Sequence, residues 1–235
     1  MSKNTAILPE WDRVLSSACR LQQILPEAVL VGGTAAAIHA EHRLSQDADH
    51  VLLGLRHRFN EILAQLESVS GWQTARVTRP VQILGSLDGI ETGVRQLIRG
   101  EPLETTTLQH QGATLTIPTR AEILRIKGVL ILKRNATRDY IDFAALAHQM
   151  GDKAIAEALR PFDRLYRQDN GESALQQLQV QLSNPLPYDL EDTKLSEYKD
   201  LATQWHDWNT VIAVCTHVAV GVFDYICEQN DSIQE

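Results

Sequence analysis

The run Val29-Leu30-Val31-Gly32-Gly33-Thr34, followed by Arg43-Leu44-Ser45-Gln46-Asp47-Ala48-Asp49, decides the fold of this chain. Ala28–Val31 reads as a short apolar strand. Gly32-Gly33 reads as a turn, and alanine-rich Thr34–His42 suits a helix. Asp49–Leu53 reads as a second strand, opened by two carboxylates one residue apart. On a strand, residues i and i+2 share a face, so Asp47 and Asp49 aim two carboxylates at one point. They follow Thr34 by 13 and 15 residues, room for one helix and a return loop. The turn and the pair therefore fall at neighbouring strand ends. Two hard oxygen donors opposite a glycine turn suit a Mg²⁺-bound nucleotide. Glycine lets the backbone approach a phosphate, and N–H groups at a helix start can bind it. No Lys-Ser/Thr follows the glycines, so the turn is not a Walker-type phosphate loop.

Working outward, Trp11–Leu25 carries apolar residues at helical spacing and is closed by Pro26. Arg58–Val69 predicts a second amphipathic helix. Trp72–Val77 reads as a strand, and Val81–Leu87 with Ile90–Ile98 flank Asp88-Gly89, a strong hairpin signal. Ala113–Ile117 alternates as a further strand. Thr119–Arg134 predicts a helix with Thr119 as its cap and Glu122 at the capping-box position. Arg138–Met150 predicts another. Beyond Gly151 the strand signals vanish, and Lys153–Arg167, Ala174–Leu182 and Lys194–Glu228 all read as helical. Ser183-Asn184-Pro185-Leu186-Pro187 is the clearest linker. The expectation is an α/β (α+β) fold: a small mixed sheet with flanking helices over 1–150, then an all-α region over 151–235.

A chain of 235 residues with 43% hydrophobic content can bury a normal core. Met1–Leu8 lacks a basic start plus apolar run, so no signal peptide is expected. Val211–Val222 is too short to span a bilayer and carries His217. Cys19, Cys215 and Cys227 form no C-x-x-C pair, so neither a disulfide framework nor a zinc site is indicated. A cytoplasmic protein without a membrane partner is the expectation. The net charge of −8 is uneven: residues 1–140 hold 16 Lys+Arg against 14 Asp+Glu, and residues 141–235 hold 6 against 16. An acidic C-terminal part does not suit nucleic acid.

Gly32-Gly33-Thr34-Ala35 with His42-Arg43-Leu44-Ser45-Gln46-Asp47-Ala48-Asp49 resembles the first motif of the nucleotidyltransferase superfamily, in its AbiEii-type branch, which includes toxins of type IV toxin–antitoxin systems. On that resemblance Gly33 and Thr34, next to Gly32, match the nucleotide-phosphate turn. Asp47 and Asp49 match the metal-binding pair, and Arg43 and Ser45 match the branch-specific positions beside them. Lys127, Arg134 and Arg138-Asp139-Tyr140-Ile141-Asp142-Phe143 are similar to the family's helical Lys–Arg–Arg-Asp element. Seven and four residues separate the three cations, which share one helix face if the helix runs through Asn135 and Thr137. Such a row neutralises triphosphate charge, with Asp139 and Asp142 orienting the cations. Superfamily members usually carry a third acidic residue on a later strand; here Glu91 is the candidate.

The resemblance implies a nucleotidyltransferase that uses one or two Mg²⁺ ions and an NTP. The acceptor it implies is RNA, such as tRNA, or protein, and the role is that of a toxin restrained by a separate antitoxin protein. Arg76, Arg79, Arg95, Arg99 and the Arg120–Arg138 helix are the candidate phosphate-binding surface. Two other readings stay open: a degenerate module that binds nucleotide or a partner without turnover, and a small-molecule nucleotidyltransferase of the antibiotic-modifying type. His39, Glu41 and His42 could suggest a His-rich metal site, but the oxygen pair favours Mg²⁺. Trp205, His206 and Trp208 read as core or interface rather than a base-stacking platform.

Overall fold

The computed structural model describes residues 9–198 and 200–231, so the expectation for Met1–Leu8 lies outside the described residues. The chain forms two compact units. One comprises the chain up to Ala35 together with Leu44–Thr119; the other comprises Ala36–Arg43 and everything from Arg120 onward. The chain crosses between these units at Ala35, Arg43 and Thr119. Within the second unit, α4 (Arg120–Arg134) and α5 (Thr137–His148) bury their apolar faces with α6 (Asp152–Leu159), α8 (Ala174–Ser183) and α9 (Trp208–Asp231).

The first unit is built on a five-stranded mixed sheet in the order β1-β2-β5-β4-β3. Its strands are β1 (Val29–Leu30), β2 (Ala48–Leu52), β3 (Trp72–Thr78), β4 (Gln82–Leu87) and β5 (Ile90–Gln96). Asp88 and Gly89 close the β4–β5 hairpin with φ of 54° and 78°, the paired positive values of a type I′ turn. Helices α1 (Pro9–Ile24) and α3 (Leu55–Glu67) pack against one face of the sheet. Leu21, Leu55, Ile62, Leu66, Ile83, Leu87 and Val94 form its core, each at most 1% exposed. Each such side chain contributes about 1.5–3 kcal/mol of burial.

Strand β6 (Thr105–His110) pairs with β7 (Ala113–Pro118) in a separate two-stranded sheet. Sequence reading finds β7 and misses β6. Thr105, Thr106, Thr107 and Gln109 face solvent, so β6 carries no apolar alternation.

The second unit is helical. Lys153–Arg167 is two helices, α6 and α7 (Phe162–Leu165), because Pro161 has no N–H to continue the ladder. Lys194–Asp207 holds single 3₁₀ turns at Leu195–Glu197 and Thr203–Trp205, and the long helix begins only at Trp208. Trp205 is buried edge-on to His148 and belongs to the core, and half-buried Trp208 stands edge-on to Tyr140. The Ser183–Pro187 segment is irregular but anchored: Asn135 donates to Leu186 O at 2.8 Å, and Tyr188 N donates to Asn135 O at 3.1 Å. Cys19 and Cys215 are free and buried; the Cys227 side chain lies outside the described residues. Among the described residues no helix is long and apolar enough to cross a membrane.

His50 on β2 points into the core and is fully buried. Burial pushes its pKa down to about 4, against the pull of the Ala48 and Ala18 carbonyls. Between about 4 and 6.5 the unfolded chain therefore binds a proton that the folded chain refuses, so stability falls as pH drops through that window. The full contribution is on the order of 3 kcal/mol. Urea-unfolding free energies across this range will show the slope in the wild type and a flatter line in His50→Asn.

Candidate active site

The carboxylate pair is assembled by local chain geometry. Asp49 lies on β2 and Asp47 immediately precedes it. Helix α2 (Gly32–Ala40) starts at the Gly-Gly-Thr turn, with Gly32 at φ +72°, where only glycine is unstrained. A Cβ on Gly32 would lie 3.5 Å from Asp49 Cβ and 3.7 Å from its Oδ2, so the absent side chain leaves room beside that carboxylate. Three successive carbonyls hold the pair. Thr34 Oγ1 donates to Asp47 O, Thr92 Oγ1 to Ala48 O at 2.5 Å, and Val31 N to Asp49 O at 2.8 Å. Ser45 Oγ donates to Asp47 Oδ1 at 2.6 Å and fixes that carboxylate's rotamer. Thr34 is 1% exposed, and its hydroxyl tethers the turn to the Asp47 loop.

The parallel pairing of β2 with β5 sets what lies next to Asp49. Ala48 is opposite Thr92, Asp49 opposite Gly93 and Val51 opposite Arg95. Ala48, His50 and Leu52 turn to the helix-covered face, and Asp49 and Val51 to the other. By register Glu91, Gly93 and Arg95 share the Asp49 face, as do Gln82, Leu84 and Ser86 on β4 and Gln73, Arg76 and Thr78 on β3. Arg95 Nη2 is 3.6 Å from Asp49 Oδ1. Glu91 is on this face and exposed, but the residue level with Asp49 is Gly93. Among the described residues no group of three or more His, Cys, Asp and Glu is placed to hold a metal. The carboxylates framed by the glycine turn are Asp47 and Asp49.

The helical element is organised differently from a single cationic row. Asn135, at φ +44°, breaks the helix between Arg134 and Arg138. Lys127 is 1% exposed and reaches inward, with Nζ 2.6 Å from Asp142 Oδ2 and 3.2 Å from Asp139 Oδ1. It is a buried counter-ion rather than a cation open to phosphate. Arg134 forks onto Asp139, with Nη2 2.8 Å from Oδ1, and stays partly exposed. Arg138 is exposed.

Arg43 grips Asp142 through Nε at 2.7 Å and Nη2 at 3.0 Å, and His42 Nε2 donates to the same carboxylate at 2.7 Å. Tyr198 lies 6.0 Å from the Arg43 guanidinium. Burial would raise the Asp142 carboxyl, but the Arg43 and Lys127 charges and the His42 hydrogen bond outweigh it. They hold its pKa well below the usual carboxylate range. His42 belongs to this cluster, a role that its helix spacing does not reveal. The candidate basic surface also thins: Arg99 is buried on the Glu101 and Pro102 carbonyls, Arg79 lies over Phe59, and Arg120 reaches the His39 carbonyl. Arg76 and Arg95 remain exposed on the Asp49 face.

A small mixed sheet followed by helices, with a carboxylate pair at a glycine turn, is the architecture of the nucleotidyltransferase fold. The chain belongs to the AbiEii family, nucleotidyl transferase toxins of type IV toxin–antitoxin systems, whose model matches residues 13–213. A candidate nucleotidyltransferase from H. pylori has a similar fold (TM-score 0.54, 14% identity, 92% of this chain and 97% of that one). The mycolic acid-containing lipids exporter MmpL11 of Mycolicibacterium smegmatis is 39% identical over 54% of this chain and 13% of its own length. The heme uptake protein MmpL11 of Mycobacterium tuberculosis is 31% identical over 93% of this chain and 24% of its own. The chain thus spans at most a quarter of the length of these curated relatives.

Breaking the buried charge cluster has a defined cost. Asp142→Asn leaves Lys127 and Arg43 without their shared anion and is expected to destabilise the fold by about 3–5 kcal/mol, read from urea unfolding. Because the folded pKa lies below the ordinary 3.8, this contribution is present above that pH and is lost as pH falls further.

Proposed function

We propose that the protein transfers an NMP from an NTP to a macromolecular acceptor, RNA or protein, with Asp47 and Asp49 as the metal-binding pair. The framed carboxylate pair beside Gly32 carries this reading. Its donors fit Mg²⁺, which takes one or two protein carboxylates and completes its shell with water and phosphate oxygens. Bound there, the ion supplies charge neutralisation for the triphosphate. The N–H groups of Gly33 and Thr34 hold phosphate oxygens at the start of α2. An acceptor hydroxyl oxygen bonds to the α-phosphorus as the bond to the β-phosphate oxygen breaks, and pyrophosphate leaves while the hydroxyl gives up its proton. Arg134 and Arg138 are the exposed cations of the helical element suited to the departing charge. Lys127 acts through Asp139 and Asp142, which orient Arg134 and Arg43. Glu91 is the candidate base on the Asp49 face.

Arg76 and Arg95 favour an anionic acceptor over a cationic antibiotic, since both stand exposed on the face that carries Asp49. The family's name supports a toxin role and a cognate antitoxin. One observation favours a module that binds without turnover: Gly93 stands where a third carboxylate level with Asp49 would be. Pyrophosphate release separates the two readings.

Asp47→Asn or Asp49→Asn is expected to abolish incorporation of labelled nucleotide into total RNA or total protein; undiminished labelling by either variant sinks the proposal. Arg76→Gln with Arg95→Gln should raise KM for the macromolecular acceptor by about tenfold, two lost surface charge contacts at about 0.7 kcal/mol each. Growth arrest on expression, lost in the aspartate variants, is the expected phenotype of a toxin.

A further inference from the structure

The carboxylate pair is held by groups that never reach its face of the sheet. Thr92 is 4% exposed and His50 is fully buried, both on the helix-covered side. Each donates to one atom, the carbonyl oxygen of Ala48, the residue between the two aspartates: Thr92 Oγ1 at 2.5 Å and His50 Nδ1 at 2.9 Å. A carbonyl only accepts, so the His50 proton on this contact sits on Nδ1. With Thr34 on Asp47 O and Val31 on Asp49 O, three consecutive carbonyls are taken by donors from a helix start, from β2 and β5, and from the residue that follows β1.

We propose that Thr92 and His50 are positioning residues for the metal pair. By gripping the Ala48 carbonyl from behind, they fix the Ala48–Asp49 peptide plane, the second of the two planes between Asp47 and Asp49, and so set the spread of the two carboxylates. The inference rests on the reading of Asp47 and Asp49 as metal ligands. The leverage is large. A carboxylate oxygen stands roughly 3.7 Å from its Cα, so a peptide tilt of about 20° moves it by about 1 Å. Displacements beyond about 0.5 Å already degrade a metal or catalytic constellation, and about 1 Å can cost on the order of a hundredfold in rate. Two donors on one carbonyl exceed what the strand ladder requires. Thr92 stands in register with Ala48 at the first rung of the β2–β5 pairing, where a frayed ladder would otherwise let the plane turn.

The test uses the full chain with Mn²⁺ as the metal probe, titrated without nucleotide and followed by the electron paramagnetic resonance of the free ion. Thr92→Val keeps the shape and removes the hydroxyl. It is expected to weaken Mn²⁺ binding about tenfold and to lower kcat more than it changes KM for the NTP, with the circular dichroism of the fold retained. Thr92→Ser, which restores the hydroxyl, should recover both. His50→Asn, whose amide donor matches the Nδ1 position, should hold the ion better than His50→Leu. Unchanged Mn²⁺ affinity and kcat in Thr92→Val, with Asp49→Asn losing the ion, overturns the clamp and leaves the metal site standing. An Asp49→Asn variant that still binds Mn²⁺ as the wild type does overturns both.

Discussion

The parallel pairing of β2 with β5 is the constraint on which the site depends. Side chains alternate with period two, so one rung of slip would turn Asp49 into the core and bring His50 and Ala48 out. The register is pinned by burial: Ile83, Leu87, Val94 and Leu52 must lie under α1 and α3. Everything on the Asp49 face follows from that choice, including Arg95 beside the carboxylate and Gly93 level with it. The core thus selects the chemistry by fixing which residues it excludes.

The helical unit has its own organising charge in Asp142. A fully buried carboxylate is tolerable only with compensation, and here Arg43, Lys127 and His42 all converge on it. Lys127 shares itself with Asp139, which also holds Arg134. The arrangement spends two carboxylates and a lysine on aiming two guanidiniums. Guanidiniums suit this use because their planar forks are directional, whereas an ammonium is a point charge.

Much of the fold was legible in the chain. The glycine turn, the aspartate pair and the Asp88-Gly89 hairpin carry steric or periodic signals that survive without neighbours. β6 was not legible, because a solvent-facing threonine strand has no apolar period. The break at Asn135 was open to suspicion from sequence, but the inward turn of Lys127 was not. Whether a lysine reaches solvent or a buried carboxylate depends on contacts about a dozen residues away, and helical spacing is silent on that. The part His42 plays at Asp142 is hidden for the same reason, its partner being 100 positions on.

The chain passes between its two compact units at Ala35, Arg43 and Thr119, so the helical unit includes a short stretch threaded out of the sheet unit's sequence. That stretch brings His42 and Arg43, two of the counter-ions of Asp142. No contiguous fragment that begins at Arg120 can inherit them. A truncation or gene fusion that carried off the C-terminal helices alone would bury an under-compensated carboxylate. The helical unit is therefore tied to the sheet unit's stretch of sequence.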